Sequence, residues 1–294
     1  MGAVCFLLIY LAAIPVQAHQ NHPSDSLSVA ASKAYADSNW LEAARLFSEA
    51  ITNGVDDSGT VYNCACCFAL SDQKDNAFRY LDLSIEKGFT NVQHLQRDTD
   101  LTELRKDERW PDLVRRMSEA QVAYLEKEGI HTELFFMMKG DQAARLDTDT
   151  IPWDSVAVED ARRLNRVKEL VAGKELKTAQ DYFNAALICQ HGTDSTDYRL
   201  ANELAKQAAA LDTSYAAAKW LSAASWDRYL QSMGLPQIYG TQFRTDSAGV
   251  WTLEPIDTTA VTDEERARLG VPSLEEARRQ AARMNLKGES NELR

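Results

Sequence analysis

The chain has 294 residues, 45% apolar, 26% charged and 9% aromatic, which supplies a packed core and lies outside disordered and collagen-like compositions. Its 44 Asp and Glu against 32 Lys and Arg give a formal net charge of -12, so a phosphate backbone is repelled on average and nucleic acid is not an expected partner. At roughly 100 to 200 residues per domain, the length fits two domains.

Phe6 to Pro15 is an apolar run, followed by Val16-Gln17-Ala18 and then the polar stretch His19-Gln20-Asn21-His22. This outline predicts a secretory signal peptide over residues 1–18, cleaved after Ala18, and a secreted or periplasmic protein. A spanning helix needs about 20 apolar residues, so no stable membrane span is expected. The absence of Lys or Arg ahead of the run keeps an uncleaved membrane tail or a misread start as the alternative. Cys64, Cys66, Cys67 and Cys189 would meet an oxidising compartment, but their pairing is not legible. Cys64-Ala65-Cys66-Cys67 falls inside a helical pattern and reads as small apolar packing, with a metal or redox role as the alternative. No His lies near it in sequence, and no metal site or cofactor is expected.

Ala31, Ala43, Phe47, Ala50, Ile51 and Gly54 stand 34 residues before Ala65, Ala77, Leu81, Ser84, Ile85 and Gly88. The spacing and the small/large pattern resemble the tetratricopeptide repeat, two antiparallel helices per unit, over about residues 27–88. The resemblance implies contact with a protein or peptide partner on the concave side, with a purely structural or oligomerising role as the alternative. Two such units need a cover. Phe89 to Met117 supplies one through Leu95, Leu101, Leu104, Trp110 and Leu113, with Asp98 and Asp107 as candidate helix caps. A helical repeat module over 19–117 is the expectation.

From 118 to 286 the expectation is a second, helical domain without the 34-residue register, and 287–294 a frayed tail. Helices are predicted over Glu133–Arg145, Val158–Ala172, Thr178–Gln190, Tyr198–Leu211 and Ser214–Met233, with a turn-rich connection over Leu146–Ser155. Past Gly234 the residues become β-branched and aromatic. Gln237–Arg244 and Val250–Ile256, joined by Asp246-Ser247-Ala248-Gly249, predict a β-hairpin over 237–256. Ser273-Leu274-Glu275-Glu276 opens a last helix to Asn285. The fold class is therefore mostly α: tetratricopeptide-like hairpins, then an α-helical domain with a small β-hairpin.

Asp227 falls on the stripe of Trp220, Ala223 and Ala224, where periodicity calls for an apolar residue, with Arg228 beside it. A buried carboxylate there needs a partner. Gln190 and His191 end the apolar run Ala185-Ala186-Leu187-Ile188. Together with Glu133-Leu134, Asp141-Gln142 and Arg145, then Asp160, Asn165 and Gln237-Ile238-Tyr239-Gly240-Thr241-Gln242, these strings resemble a bacterial domain-of-unknown-function family, labelled 6624, over about residues 117–285. Its D-Q-x-x-R, Q-H, D-R and Q-x-Y-G-T-Q motifs occur in the same order. The resemblance implies a helical domain whose polar residues converge, and it carries no activity.

Binding is the favoured role: protein contact through the repeats and a small polar ligand in the second domain. There Asp141, Gln142, Arg145, Gln190 and Arg228 are candidate contacts, and Gln237, Tyr239, Thr241 and Gln242 form one wall. The runner-up is a hydrolase with His191 as general base and Asp227 or Asp141 as orienting carboxylate. Against both stands an internal network that joins Asp227 to Arg145, Gln190 to backbone and Tyr239 to a carboxylate without performing chemistry.

Overall fold

A computed structural model describes residues 23–145 and 151–292; the expected signal peptide and the start of the 146–155 connection lie outside them. The described residues are mostly α, with 13 α-helices and one two-stranded antiparallel sheet. No helix among them is long and apolar enough to cross a membrane. Contacts divide the chain into two compact units that part between Glu128 and Gly129.

The first unit contains α1 (Pro23–Ala36), α2 (Trp40–Thr52), α3 (Ser58–Leu70), α4 (Lys74–Glu86), α5 (Val92–Arg97) and α6 (Trp110–Lys127), with single 3-10 turns at Thr99–Leu101 and Leu104–Lys106. Positions 34 residues apart share both burial and turn geometry. Ala31 and Ala65, Ala43 and Ala77, Phe47 and Leu81, and Ala50 and Ser84 are all buried. Ser38 and Asp72 each turn the chain at φ 58, and the helices preceding Gly54 and Gly88 end in left-handed residues, φ 103 and 96. Glycine suits those ends because it has no Cβ to strain there. Leu95, Leu101, Leu104, Leu113 and Met117 pack on Tyr62, Phe78 and Leu81. A boundary at 117/118 cuts α6 in its middle. The helix continues because Met117, Gln121 and Leu125 carry on one buried stripe.

Asp98 caps the first 3-10 turn through the Asp100 N–H, whereas Asp107 accepts the Arg109 N–H one residue before α6 begins. Asp98 and Asp100 also accept the hydroxyls of Tyr62 and Tyr35 at 2.8 and 2.6 Å. Cys66 joins this group, its Sγ 3.6 Å from Asp98, and folding brings in His94, whose Nε2 is 3.4 Å from the same carboxylate. The hydrogen bonds fasten α3 to the segment that covers it. Cys64, Cys66, Cys67 and Cys189 are free and buried. Burial pushes Cys64, Cys67 and Cys189 up to about 12 and Cys66 higher still, so all four remain protonated at neutral pH.

The second unit contains α7 (Thr132–Ala143), α8 (Trp153–Ala172), α9 (Ala179–Cys189), α10 (Ser195–Leu211), α11 (Ala216–Ser232), β1 (Phe243–Thr245), β2 (Trp251–Leu253), α12 (Asp263–Arg268) and α13 (Leu274–Glu292). Phe183 to Cys189 of α9 are buried without interruption, and the core gathers around them from α7, α8, α10 and α11. A helix buried on every side has to be central. Ala201, Ala205 and Ala208 of α10 and Ala218 of α11 are buried in the same core, where small side chains let backbones approach closely. Thr178 and Asp181 form a capping box at the start of α9. Asp181 also accepts the His131 N–H at 2.8 Å, tying the start of α7 to the start of α9.

Three expectations are corrected. The helix expected from Val158 begins at Trp153, because Pro152 stands just ahead of the first turn, where its missing N–H is harmless. The strands are three residues each, paired Phe243 to Leu253, Arg244 to Thr252 and Thr245 to Trp251. Gln237 to Gln242 forms no strand, since its backbone amides turn inward onto a carboxylate, although Gln237 and Ile256 form an isolated bridge. Helix α12 was not anticipated, although Thr262 and Glu265 form a capping box at its start.

Candidate functional site

The polar residues singled out in the second domain lie in two adjoining groups. The first is centred on Asp141, fully buried on α7. His191, one residue past the end cap of α9, places Nδ1 3.0 Å from both carboxylate oxygens. A carboxylate only accepts, so Nδ1 carries the proton and Nε2 is left as the acceptor. Gln142 donates to Asp141 at 2.8 Å, and Arg145 donates to its Oδ1 at 3.0 Å and to its backbone carbonyl at 2.8 Å. Arg145 also pairs with Asp160 of α8, which Arg163 contacts at 3.1 Å.

Burial drives the His191 pKa below its ordinary value against the pull of Asp141, and the charges of Arg145 and Arg228 add to the lowering. The imidazole is neutral at pH 7. Burial would raise Asp141, but the bonds from His191 and Gln142 and the charge of Arg145 outweigh it and hold the carboxyl below its usual range. The result is an ionised carboxylate orienting a neutral histidine, a geometry suited to accepting a proton at Nε2. Gly192 follows immediately and packs tightly. A Cβ there would lie 2.3 Å from that of Asp197, so the exit from α9 is held close to α10.

The second group is centred on Asp227 of α11, also fully buried. Its oxygens accept the backbone N–H groups of Ile238 at 2.9 Å, Tyr239 at 3.0 Å and Thr241 at 3.1 Å, and the Thr241 hydroxyl at 2.8 Å. Gly240, at φ 84, lets the loop curl around the carboxylate. Burial pushes the Asp227 pKa up while these donors pull it back. Arg228 joins the two groups, donating to the Gln190 carbonyl at 2.6 Å and to Gln242 Oε1 at 3.2 Å.

The candidates therefore divide. Asp141, Gln142, Arg145, Gln190, His191 and Arg228 come together. Asp227 faces the 238–241 loop, and it is Asp141 that orients His191. The anticipated Asp227–Arg145 bond is absent, because each side chain has its own partners. Gln237 braces the hairpin through the Gln242 N–H and the carbonyls of Gln242 and Glu254. Thr241 and Gln242 hydrogen-bond inward to α11. Tyr239 bonds Asp227 through its backbone N–H; the expected pairing of its side chain with a carboxylate is not what fastens it.

Gln190 differs from the rest. It is wholly buried, its backbone carbonyl is used by Arg228, and neither Oε1 nor Nε2 of its amide has a hydrogen-bond partner among the described residues.

Sequence reasoning missed Arg266 of α12. It is buried and donates to the carbonyls of Tyr239 at 3.0 Å, Ile238 at 2.8 Å and Val261 at 3.1 Å, so it holds the loop by its carbonyls while Asp227 holds it by its N–H groups. The one available signal was the Thr262–Glu265 capping box. Asn285 was missed as well; it pairs with both the N–H and the carbonyl of Trp251 and ties β2 to α13.

A comparison with curated proteins gives no match. A family model matches residues 128–285, more than half of the chain and nearly all of the second unit, which includes both carboxylate centres and the loop between α11 and β1. The chain belongs to the family described as Family of unknown function (DUF6624).

Proposed function

We propose that this protein is an exported binding protein whose family domain holds a small polar ligand beside the Asp141–His191 pair. The supporting observation is Gln190, an enclosed amide next to His191 and Arg228 whose two polar atoms find no protein partner. An unmet buried polar group costs about 1–3 kcal/mol. A bound molecule with one donor and one acceptor relieves that cost twice over. Of the Arg145–Asp141 pair, the arginine side chain is 20% exposed and the carboxylate is closed off. The first unit, with Val29 and Leu41 exposed on α1 and α2, is the part offered to a protein partner.

The test is a thermal-shift panel of small amides, carboxylates and sugars on the full chain. A ligand present at 100 times its Kd stabilises by about 2.7 kcal/mol, a shift of several degrees. At least one class should raise the midpoint of the wild type and fail to do so in Gln190→Leu. If Gln190→Leu is simply more stable and the wild type answers to nothing, the amide is a tolerated packing defect and the reading is wrong.

A second reading, hydrolysis, draws on the Asp141–His191 pair itself. No hydroxyl or thiol is hydrogen-bonded to His191 among the described residues, so His191 would activate water rather than a side-chain nucleophile. Turnover of ester or amide substrates that disappears in a folded His191→Gln variant would favour it over binding alone.

A further inference from the structure

A cleft of about 520 Å³ opens away from the His191 centre, between α10, α11, the 238–241 loop and the end of α12. Its lining alternates cations, rings and small residues. Asn202, Lys206, Ala209 and Ala210 lie along one face of α10, and Lys219, Ser222 and Trp226 along the facing edge of α11. Tyr239 and Arg268 close the remaining sides. His191, Asp141, Arg145 and Arg228 do not line it.

Three features of this cleft point the same way. First, the chain carries a net charge of -12, yet none of Lys206, Lys219 and Arg268 has an ion-pair partner within 4 Å among the described residues. Asp212 feels Lys219, and Glu264 feels Arg268, only at longer range. Second, Lys206 Nζ stands 5.4 Å from the centroid of the half-buried Trp226 ring, so cation and ring face share one space. Tyr239 is half-buried, and burial first, then the charges of Asp227 and Glu265, raise its pKa, which keeps the phenol protonated and able to donate. Third, the volume lies within the usual range of about 300–1,000 Å³ for small-molecule sites and is far more than a bare oxyanion fills.

We infer that this cleft is a binding site for a small organic anion, a phosphate or carboxylate group carried on a flat ring. Lys219 and Arg268 hold the charged group, Tyr239 donates to it, and the ring lies against Trp226 beside Lys206. The loop that presents Tyr239 is the one whose N–H groups bond Asp227 and whose carbonyls bond Arg266, so these two buried side chains preset one wall of the cleft. This goes beyond the reading of the Asp141–His191 pair and does not depend on it.

Isothermal titration of the full chain with adenosine 5'-monophosphate, adenosine, inorganic phosphate and 1-naphthoate tests the assignment. The monophosphate or the naphthoate should bind with Kd of about 1 mM or tighter, and adenosine and phosphate should each bind at least tenfold more weakly. Raising salt should weaken binding, as expected for exposed charges. The Lys219→Gln/Arg268→Gln double variant, which changes one half-buried and one exposed cation that have no ion-pair partner among the described residues, should lose tenfold or more with an unchanged circular dichroism spectrum, and Trp226→Leu should show a similar loss. If Trp226→Leu fails to fold, the double variant decides alone. No binding by either ring-bearing anion overturns the proposal. So does equal binding of adenosine and its monophosphate, or binding that survives both sets of changes. If His191→Gln abolishes the heat while the double variant does not, the ligand belongs to the other centre and this proposal is likewise overturned.

Discussion

Replacing Asp227 by alanine should lower the stability of the protein by about 3–5 kcal/mol, the loss expected when a buried carboxyl group that accepts four hydrogen bonds is removed. The reason is local and countable. Ile238, Tyr239 and Thr241 direct their N–H groups, and Thr241 its hydroxyl, at the two oxygens of this one carboxylate. Without it, four donors lose their acceptor in a setting where Thr241 is 9% exposed and Gly240 is buried. Each unmet donor costs about 1–3 kcal/mol, and relaxation of the loop limits the total. Asp227→Asn is a useful intermediate. It preserves volume and one carbonyl oxygen, but it turns an NH2 group toward donors and should cost on the order of 2 kcal/mol. Urea titration measures the totals. Hydrogen exchange at the Ile238, Tyr239 and Thr241 amides locates the effect, because protection should fall there before it falls in α9. A loss below about 1 kcal/mol with exchange unchanged would mean that Arg266 alone holds the loop.

How much of this was legible in the sequence depends on the range of the interaction. The 34-residue register could be seen because each matched pair, such as Ala43 and Ala77, answers the same packing demand within its own hairpin. Helix existence in the second domain was readable from period, and boundaries moved where capping decided, as at Pro152. Asp227 could be singled out because a carboxylate on an alanine stripe conflicts with its neighbours, and such conflicts mark places where a specific partner is required. Its partner could not be named. The acceptors that Asp227 provides are used by backbone N–H groups, and every residue except proline has one, so nothing at 238 or 239 distinguishes the recipients. The motif Gln237-Ile238-Tyr239-Gly240-Thr241-Gln242 looked like a pocket wall for the same reason. Polar side chains that fasten a loop and polar side chains that face a ligand have identical composition, and only their direction separates them. Arg266 and Asn285 were invisible because long-range side-chain to backbone bonds leave no periodic trace. The basic cleft was hidden too: Lys206, Lys219 and Arg268 are ordinary surface cations until folding sets them around Trp226.

A second large loss is expected at Asp141, and here pH supplies a signature that packing alone does not. Asp141→Asn should cost about 3–5 kcal/mol near pH 7.5, because Arg145 and His191 both lose a buried acceptor charge. In the wild type, burial holds His191 below its ordinary value of 6.5, so between that value and the folded pKa the unfolded chain takes up a proton there while the folded one does not. Stability is therefore fully present above pH 6.5 and falls as the pH drops through 6.5 toward the folded pKa, at up to about 1.4 kcal/mol per pH unit. Asp141, lowered from 3.8, adds a second loss only below that value. The sign is the same in both windows: acid destabilises. Subtracting the His191→Gln curve from that of the wild type cancels His94 and His131, common to both proteins, and should leave the first window alone. In Asp141→Asn the nearby Arg145 and Arg228 charges act on His191 unopposed, so its proton uptake moves to lower pH and the first window widens downward. A flat difference between wild type and His191→Gln from pH 7.5 to 5 would show that the imidazole takes up its proton equally in both states. It would then not be the enclosed neutral base that both the ligand-binding and the hydrolytic readings require.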